Sequence, residues 1–226
     1  MKIRLKFTKE GPVKFVGHLD TVRLFQRAIK VAKIPVAYSQ GFSPHSLIYF
    51  ALPLAVGMSS CGEYLDLITE KDVNPEDIKN QLNAILVDGI TIIEAFIAPD
   101  KKDSLMSLVK AADYKVIIPK KDFPHMTYEG IQEALEKPTL LVEKVAKKGI
   151  KEVDIKPMLL GAELKEEEDF FVLNLKVLAG SEANLKPELV LKAILKEYPE
   201  DYFFEMRREE LYTYEETYIP LEYYGR

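Results

Sequence analysis

The order in which residue periodicity changes along the first hundred residues constrains this chain more than any other feature. Lys2–Thr8 alternates charged and apolar residues with period two, the mark of a half-buried strand. Gly17–Ala32 places Val22, Phe25, Ile29 and Ala32 on one helical face, and Pro35 ends the run. Two strand-like runs follow, His45–Leu52 and Glu63–Thr69, joined by a Pro- and Gly-rich connection. Asn74 is a good N-cap, and Pro75 sits at the first helical position, where its missing N–H costs nothing. That helix continues through Ile78, Leu82 and Ile85, Gly89 closes it, and Ile90–Ala98 is a last strand. The order is β-α-β-β-α-β. Two split β-α-β units in that order build an antiparallel sheet with both helices on one face, the ferredoxin-like arrangement.

The second half repeats the order less clearly. Tyr114–Pro119, Thr139–Val145, Val153–Glu163, Phe170–Leu178 and Phe203–Leu211 read as strands. Tyr128–Leu135 and Pro187–Glu197 read as helices, and the acidic run at 165–169 as a hairpin turn. The fold class expected is therefore α+β, with two tandem ferredoxin-like (βαββαβ) units and antiparallel sheets. The charged, turn-prone stretch Pro99–Asp103 marks the boundary, giving domains at 1–100 and 104–226. The tail from Thr213 carries several tyrosines and either docks or stays mobile.

Composition narrows the function classes. No run reaches the roughly 18 apolar residues needed to span a bilayer. The N-terminus has no apolar signal core, so the cytoplasm is the expected location. A single cysteine, Cys61, excludes an internal disulfide, a cysteine zinc site and a three-cysteine cluster. The net charge is −5, yet nine basic residues face only two acidic ones between Met1 and Lys33. Such a local excess is the electrostatic footprint of a polyanion partner.

Two features in that region point to chemistry. Asp20, Arg23, Arg27 and Lys30 lie at i, i+3, i+7 and i+10 and share one face of the first helix. Guanidinium groups match phosphate oxygens in bidentate geometry, so this stripe suits phosphate recognition. A solvated face with weak Asp20–Arg23 pairing is the plainer reading of the same residues. Lys14 opens the segment and joins the binding set. The second feature is the uncharged connection Val36–Ser46. Backbone N–H groups at Ser39, Gln40 and Gly41 can cradle an anion, and Tyr38 and Phe42 can stack on a base. A packed hairpin loop is the alternative. His18 falls on the helix's apolar face and His45 follows Pro44. If they converge, they suit general acid–base work on a phosphodiester. A metal held by both, with Asp20 as third ligand, is the weakest reading, and no metal is expected.

The segment Lys14–Leu67 resembles the radical SAM-linked protein family. The pieces that carry the resemblance are Gly17–Asp20 (GHLD), Arg23 with Arg27, Tyr38–His45 (YSQGFSPH), Phe50–Gly57 (FALPLAVG) and Gly62–Asp66 (GEYLD), in order and at fixed distances. Looser pieces follow at Val153–Pro157, Lys186–Leu189 and Arg208–Tyr212. Ser46, Leu47, Lys186 and Glu209 depart from the family pattern. The resemblance implies a chain that works with a radical SAM protein, encoded beside it or fused to it. A radical SAM cluster needs three cysteines, so the resemblance places the cluster on a partner and leaves this chain without a cofactor and without the chemical step. The loop resembles, more distantly, RNA-binding ferredoxin-like proteins of CRISPR systems, which adds RNA as the expected substrate class. A stand-alone RNA-processing enzyme using His18 and His45 is the alternative.

Overall fold

The structure, a computed structural model, describes every residue except 100, 102, 147, 148, 196, 197, 200 and 226, and for 144, 145, 146 and 150 the backbone alone. The chain has a mixed α+β fold and divides into two compact units, Met1–Lys110 with Arg208–Arg226, and Ala111–Arg207.

The first unit opens with β1 (Lys2–Lys9), a 3-10 turn at Gly11–Phe15 and α1 (His18–Val31). The strands β2 (Ile48–Phe50) and β3 (Ser59–Ile68), α2 (Pro75–Asn83), β4 (Ile92–Ile97) and a helical turn α3 (Leu105–Leu108) follow. β1 pairs with β4 and with β3, the short β2 pairs with β3 off the main strand path, and all three pairings are antiparallel. Ile3, Leu5 and Phe7 alternate along one face of β1 and meet Leu65 and Leu67 of β3. Phe25 and Ile29 of α1 and Ile78 and Leu82 of α2 close over that face in one apolar cluster. Both helices are amphipathic and can bury their stripe only against this surface. Asn74 caps α2 as expected, its side chain accepting from the Glu76 N–H at 3.0 Å.

The second unit begins with β5 (Ala111–Pro119) and α4 (Tyr128–Glu136). The strands β6 (Leu141–Ala146), β7 (Gly149–Asp154), β8 (Leu159–Glu166) and β9 (Phe170–Leu178) lead to α5 (Pro187–Ile194). β9 lies between β5 and β8, antiparallel to both, while β6 and β7 form a separate hairpin. The chain then returns through β10 (Glu205–Glu215), which joins β3 in the first unit, and β11 (Thr217–Pro220), which folds back on β10.

Two local expectations are corrected, and a third that was open is decided. The single strand expected over Val153–Glu163 is two strands, β7 and β8, parted by a 3-10 turn at Lys156–Met158. Pro157 sits inside that turn and Asp154 Oδ1 accepts from both the Leu140 and Lys156 N–H groups, which ends the ladder. The strand expected over His45–Leu52 shrinks to Ile48–Phe50, because His45 and Ser46 close a hairpin neck instead. The tail from Thr213 docks, with Leu221 and Tyr224 buried. Parts of the stretch Pro99–Asp103 and the last two residues of the helix expected to reach Glu197 lie outside the described residues.

Candidate functional site

The uncharged connection is a hairpin whose neck is tied by its own polar residues. Tyr38 and Ser46 form an antiparallel bridge, and the Ser39 N–H donates to the His45 carbonyl at 2.9 Å. The His45 N–H donates to Ser39 Oγ at 3.1 Å, and that hydroxyl lies 2.8 Å from His45 Nδ1. The tip carries Gln40, Gly41 and Phe42, all exposed. Gly41 has φ +124°, a backbone region closed to side-chain-bearing residues, which turns the tip. Phe42 is fully exposed and Tyr38 half exposed. Burying neither ring forgoes about 1.5–3 kcal/mol of packing for Phe42 alone, so this loop is not a packed hairpin tip.

α1 presents the cationic stripe to solvent. Asp20, Arg23, Arg27 and Lys30 are all exposed. Arg23 donates to Asp20 Oδ1 at 2.8 Å, with the side chains 75% and 64% exposed, a pair of negligible worth. Lys14 lies in the preceding 3-10 turn with its ammonium 5.3 Å from the Phe15 ring, and its carbonyl accepts from Gly57.

His18 and His45 do not meet. Among the described residues no contact joins the two rings, and each has its own partner. His18 begins α1, where its ring stands edge-on to Phe50 at 5.5 Å, within a set that includes Phe7 and Phe25. Burial pushes this imidazole below its ordinary 6.5, Glu63 opposes the shift and Lys9 adds to it. The charges below it form a group that sequence reading missed. Lys9 is 3% exposed, and its ammonium donates to the Val16 carbonyl at 2.5 Å. Burial lowers its pKa, with Glu63 opposing and Arg208 contributing. Glu63 receives Arg208 in bidentate form, at 2.8 Å from Nε and 2.6 Å from Nη2, and both side chains are almost wholly buried. The same guanidinium donates to the Leu52 carbonyl at 2.8 Å. The only sequence signal for this group was an acid inside an apolar strand run, at Glu63.

A second buried network occupies the opposite face of the same strands. Arg4 grips Asp66 at 2.7 and 3.0 Å and donates to the Leu221 carbonyl. Lys6 donates to Glu210 at 2.6 Å and Glu222 at 3.2 Å, and the Tyr64 hydroxyl donates to Glu210 at 2.6 Å. Burial and the adjacent carboxylates drive the Tyr64 phenol far above its usual range. Burial also raises the Glu210 carboxyl, against its hydrogen bonds. Burial alone would lower the Lys6 ammonium, but Glu210 and Glu222 outweigh it and hold it high. These groups satisfy one another, and in the first unit the hairpin and the stripe stay exposed. Among the described residues, no three potential ligands stand close enough together to hold a metal ion, and no helix is long and apolar enough to cross a membrane.

No curated protein matches this chain. Solved structures resemble it weakly. A Cbf5-Nop10-Gar1 complex matches at 11% identity and a TM-score of 0.47, covering 92% of this chain and 48% of that one. The chain thus spans about half the length of that protein. A protein from Galdieria sulphuraria matches at 14% identity and a TM-score of 0.27, covering 92% and 96% of the two chains. DyPB from Rhodococcus jostii RHA1 matches at 11% and 0.23, covering 86% and 82%. Likeness at this level carries no functional argument. The sequence pattern is more specific: over residues 2–187 the chain matches, and so belongs to, the family described as uncharacterized protein conserved in bacteria (DUF2344).

Proposed function

We propose that this chain is an accessory, substrate-binding protein that works with a separately encoded radical SAM enzyme and binds single-stranded RNA through α1 and the hairpin Tyr38–His45. On this reading both units are ferredoxin-like. The antiparallel pairings of β4 with β1, β1 with β3 and β3 with β2 beneath α1 and α2 support that for the first unit, and β9 set between β5 and β8 supports it for the second. The radical SAM partnership rests on the signature residues Gly17–Asp20, Tyr38–His45 and Gly62–Asp66. The lone Cys61 keeps a three-cysteine cluster off this chain.

The observation that carries the RNA reading is Phe42, a fully exposed ring at the tip of a hairpin whose neck is fixed by Ser39 and His45. Aromatic rings held in solvent near cations are how proteins take unpaired bases and their phosphates together. The separate environments of His18 and His45 give no support to a two-histidine cleavage reaction. The test is equilibrium binding of single-stranded RNA across a salt series. Phe42→Ala is expected to weaken binding by about 5- to 150-fold, the range of one base–aromatic stack. Arg23→Ala with Arg27→Ala is expected to flatten the salt slope by about 1.4, two phosphates' worth for a single strand. Binding that neither change alters would remove RNA from the account, and failure to co-purify with any radical SAM protein would remove the partner.

A further inference from the structure

The second unit holds a groove that the reading above does not use. It has a volume of about 1000 Å³ and lies between the loop leading into α4 and the described residues Ile194, Leu195, Tyr198, Pro199 and Tyr202. That is the upper end of small-molecule sites, with room for a bicyclic ring and a sugar. Phe123, Tyr198 and Tyr202 line it, with the buried Ile131 and Ile194. The rings are fixed before any ligand arrives. Phe123 stacks on Phe204 at 5.4 Å with an 18° tilt and meets Tyr202 edge-on at 5.1 Å. Preset rings lose little freedom on binding and favour a flat partner.

The polar lining is selective. The Tyr202 hydroxyl donates to Asp122 Oδ2 at 2.6 Å, which orients the carboxylate and leaves Oδ1 without a protein donor among the described residues. Burial, with Asp122 adding to it, pushes the Tyr202 phenol up to about 12, so the proton of this hydrogen bond stays on the tyrosine. Among the described lining residues there is no lysine or arginine, so a phosphate finds no partner inside. His125 lines the same groove and offers an N–H donor.

We propose that this groove binds a guanine base, stacked on the fixed rings with its ring N–H and exocyclic amine donating to Asp122. Guanine alone among the common bases sets two N–H donors side by side, the pattern a carboxylate accepts, with a carbonyl next to them for a donor such as His125. Adenine sets a ring acceptor beside its amine, cytosine offers one amine beside an acceptor, and uracil flanks its N–H with carbonyls. The inference is independent of the hairpin in the first unit.

The test uses the full chain and ligand-detected NMR or calorimetry with guanosine, inosine, adenosine, cytidine and an acetylated arginine amide. Guanosine should bind about 5- to 150-fold tighter than inosine, which lacks the exocyclic amine. Asp122→Asn should erase that preference, and Tyr202→Phe should reduce it by freeing the carboxylate while keeping the ring. Both variants should unfold thermally like the parent chain, and Phe42→Ala should leave guanosine binding untouched. A single-stranded oligonucleotide with one guanine that outbinds guanosine assigns the base to RNA, and equal affinity assigns it to a free nucleoside. Equal affinity for all four nucleosides, no binding, or a preference for the arginine amide would overturn the proposal.

Discussion

The first imidazole in the chain is worth following in its own surroundings. His18 stands edge-on to Phe50, with the buried Lys9 ammonium and the Glu63 carboxylate as the charges that act on it. Burial is the largest effect and favours the neutral ring. An unfolded chain takes up this proton near the ordinary 6.5, and the folded chain only at lower pH. Between those two points the unfolded state binds more protons, so stability falls as the pH drops from about 6.5 through the folded value. His18→Gln should therefore flatten the dependence of the urea midpoint on pH between 6.5 and 5.5. A slope identical to the parent's in that window would assign the acid sensitivity elsewhere. This residue was legible in part: its place on the apolar stripe of α1 followed from its spacing to Val22, Phe25 and Ile29. The charges that shift it did not follow, because Lys9, Glu63 and Arg208 come from three segments that no local pattern links.

At the scale of elements, the informative event lies where β3 meets β10. Arg208 and Glu210 are two residues apart, a spacing that puts both on one face of a regular strand. Yet Arg208 bonds to Glu63 on the helix-covered face, and Glu210 bonds to Tyr64 and Lys6 on the other. The alternation is broken between them, as in a bulge, which lets one strand supply both buried networks. Gly62 makes the crossing possible. A Cβ at that position would run into the Glu209 carbonyl oxygen and stand 2.7 Å from Glu210 Cα, both of them backbone that cannot swing aside. Gly62→Ala should cost about 1–3 kcal/mol as an overpacking change, read as a lower urea midpoint at unchanged slope. A variant as stable as the parent would mean that β10 does not approach so closely. The bounds of α1 and the cap of α2 were readable because Pro35, Asn74 and Pro75 act on their own neighbours. The break between β7 and β8 was readable in principle from Pro157, but the apolar run on either side masked it. The broken alternation in β10 was not readable, since the partners that reveal it, Glu63 and Tyr64, lie almost 150 positions away.

The molecule as a whole is assembled out of sequence order. The first unit is not finished by its own hundred residues: Arg208, Glu210 and Glu222 return after the whole second unit and supply the partners of Glu63, Lys6 and Tyr64. Periodicity reports which residues form a strand, but it carries no term for which distant strand that one will join. Loop closure over such a separation grows only slowly with length, so the late return is inexpensive once the buried partners reward it. Without the return, Glu63 would keep a buried carboxylate and lose its guanidinium, a change that costs about 3–5 kcal/mol, a large share of a typical domain's stability. A chain ending at Arg207 keeps every residue of the second unit and drops these partners. Its β9 amides, whose partners β5 and β8 are both retained, should stay protected in hydrogen exchange, while those of β1 and β3 should exchange at least a hundredfold faster than in the full chain, the factor about 3 kcal/mol implies. Full protection of β1 and β3 in the shortened chain would show that the first hundred residues fold unaided and that the C-terminal strand is an addition to a finished sheet. Loss of protection in both units would show instead that the two fold as one cooperative body.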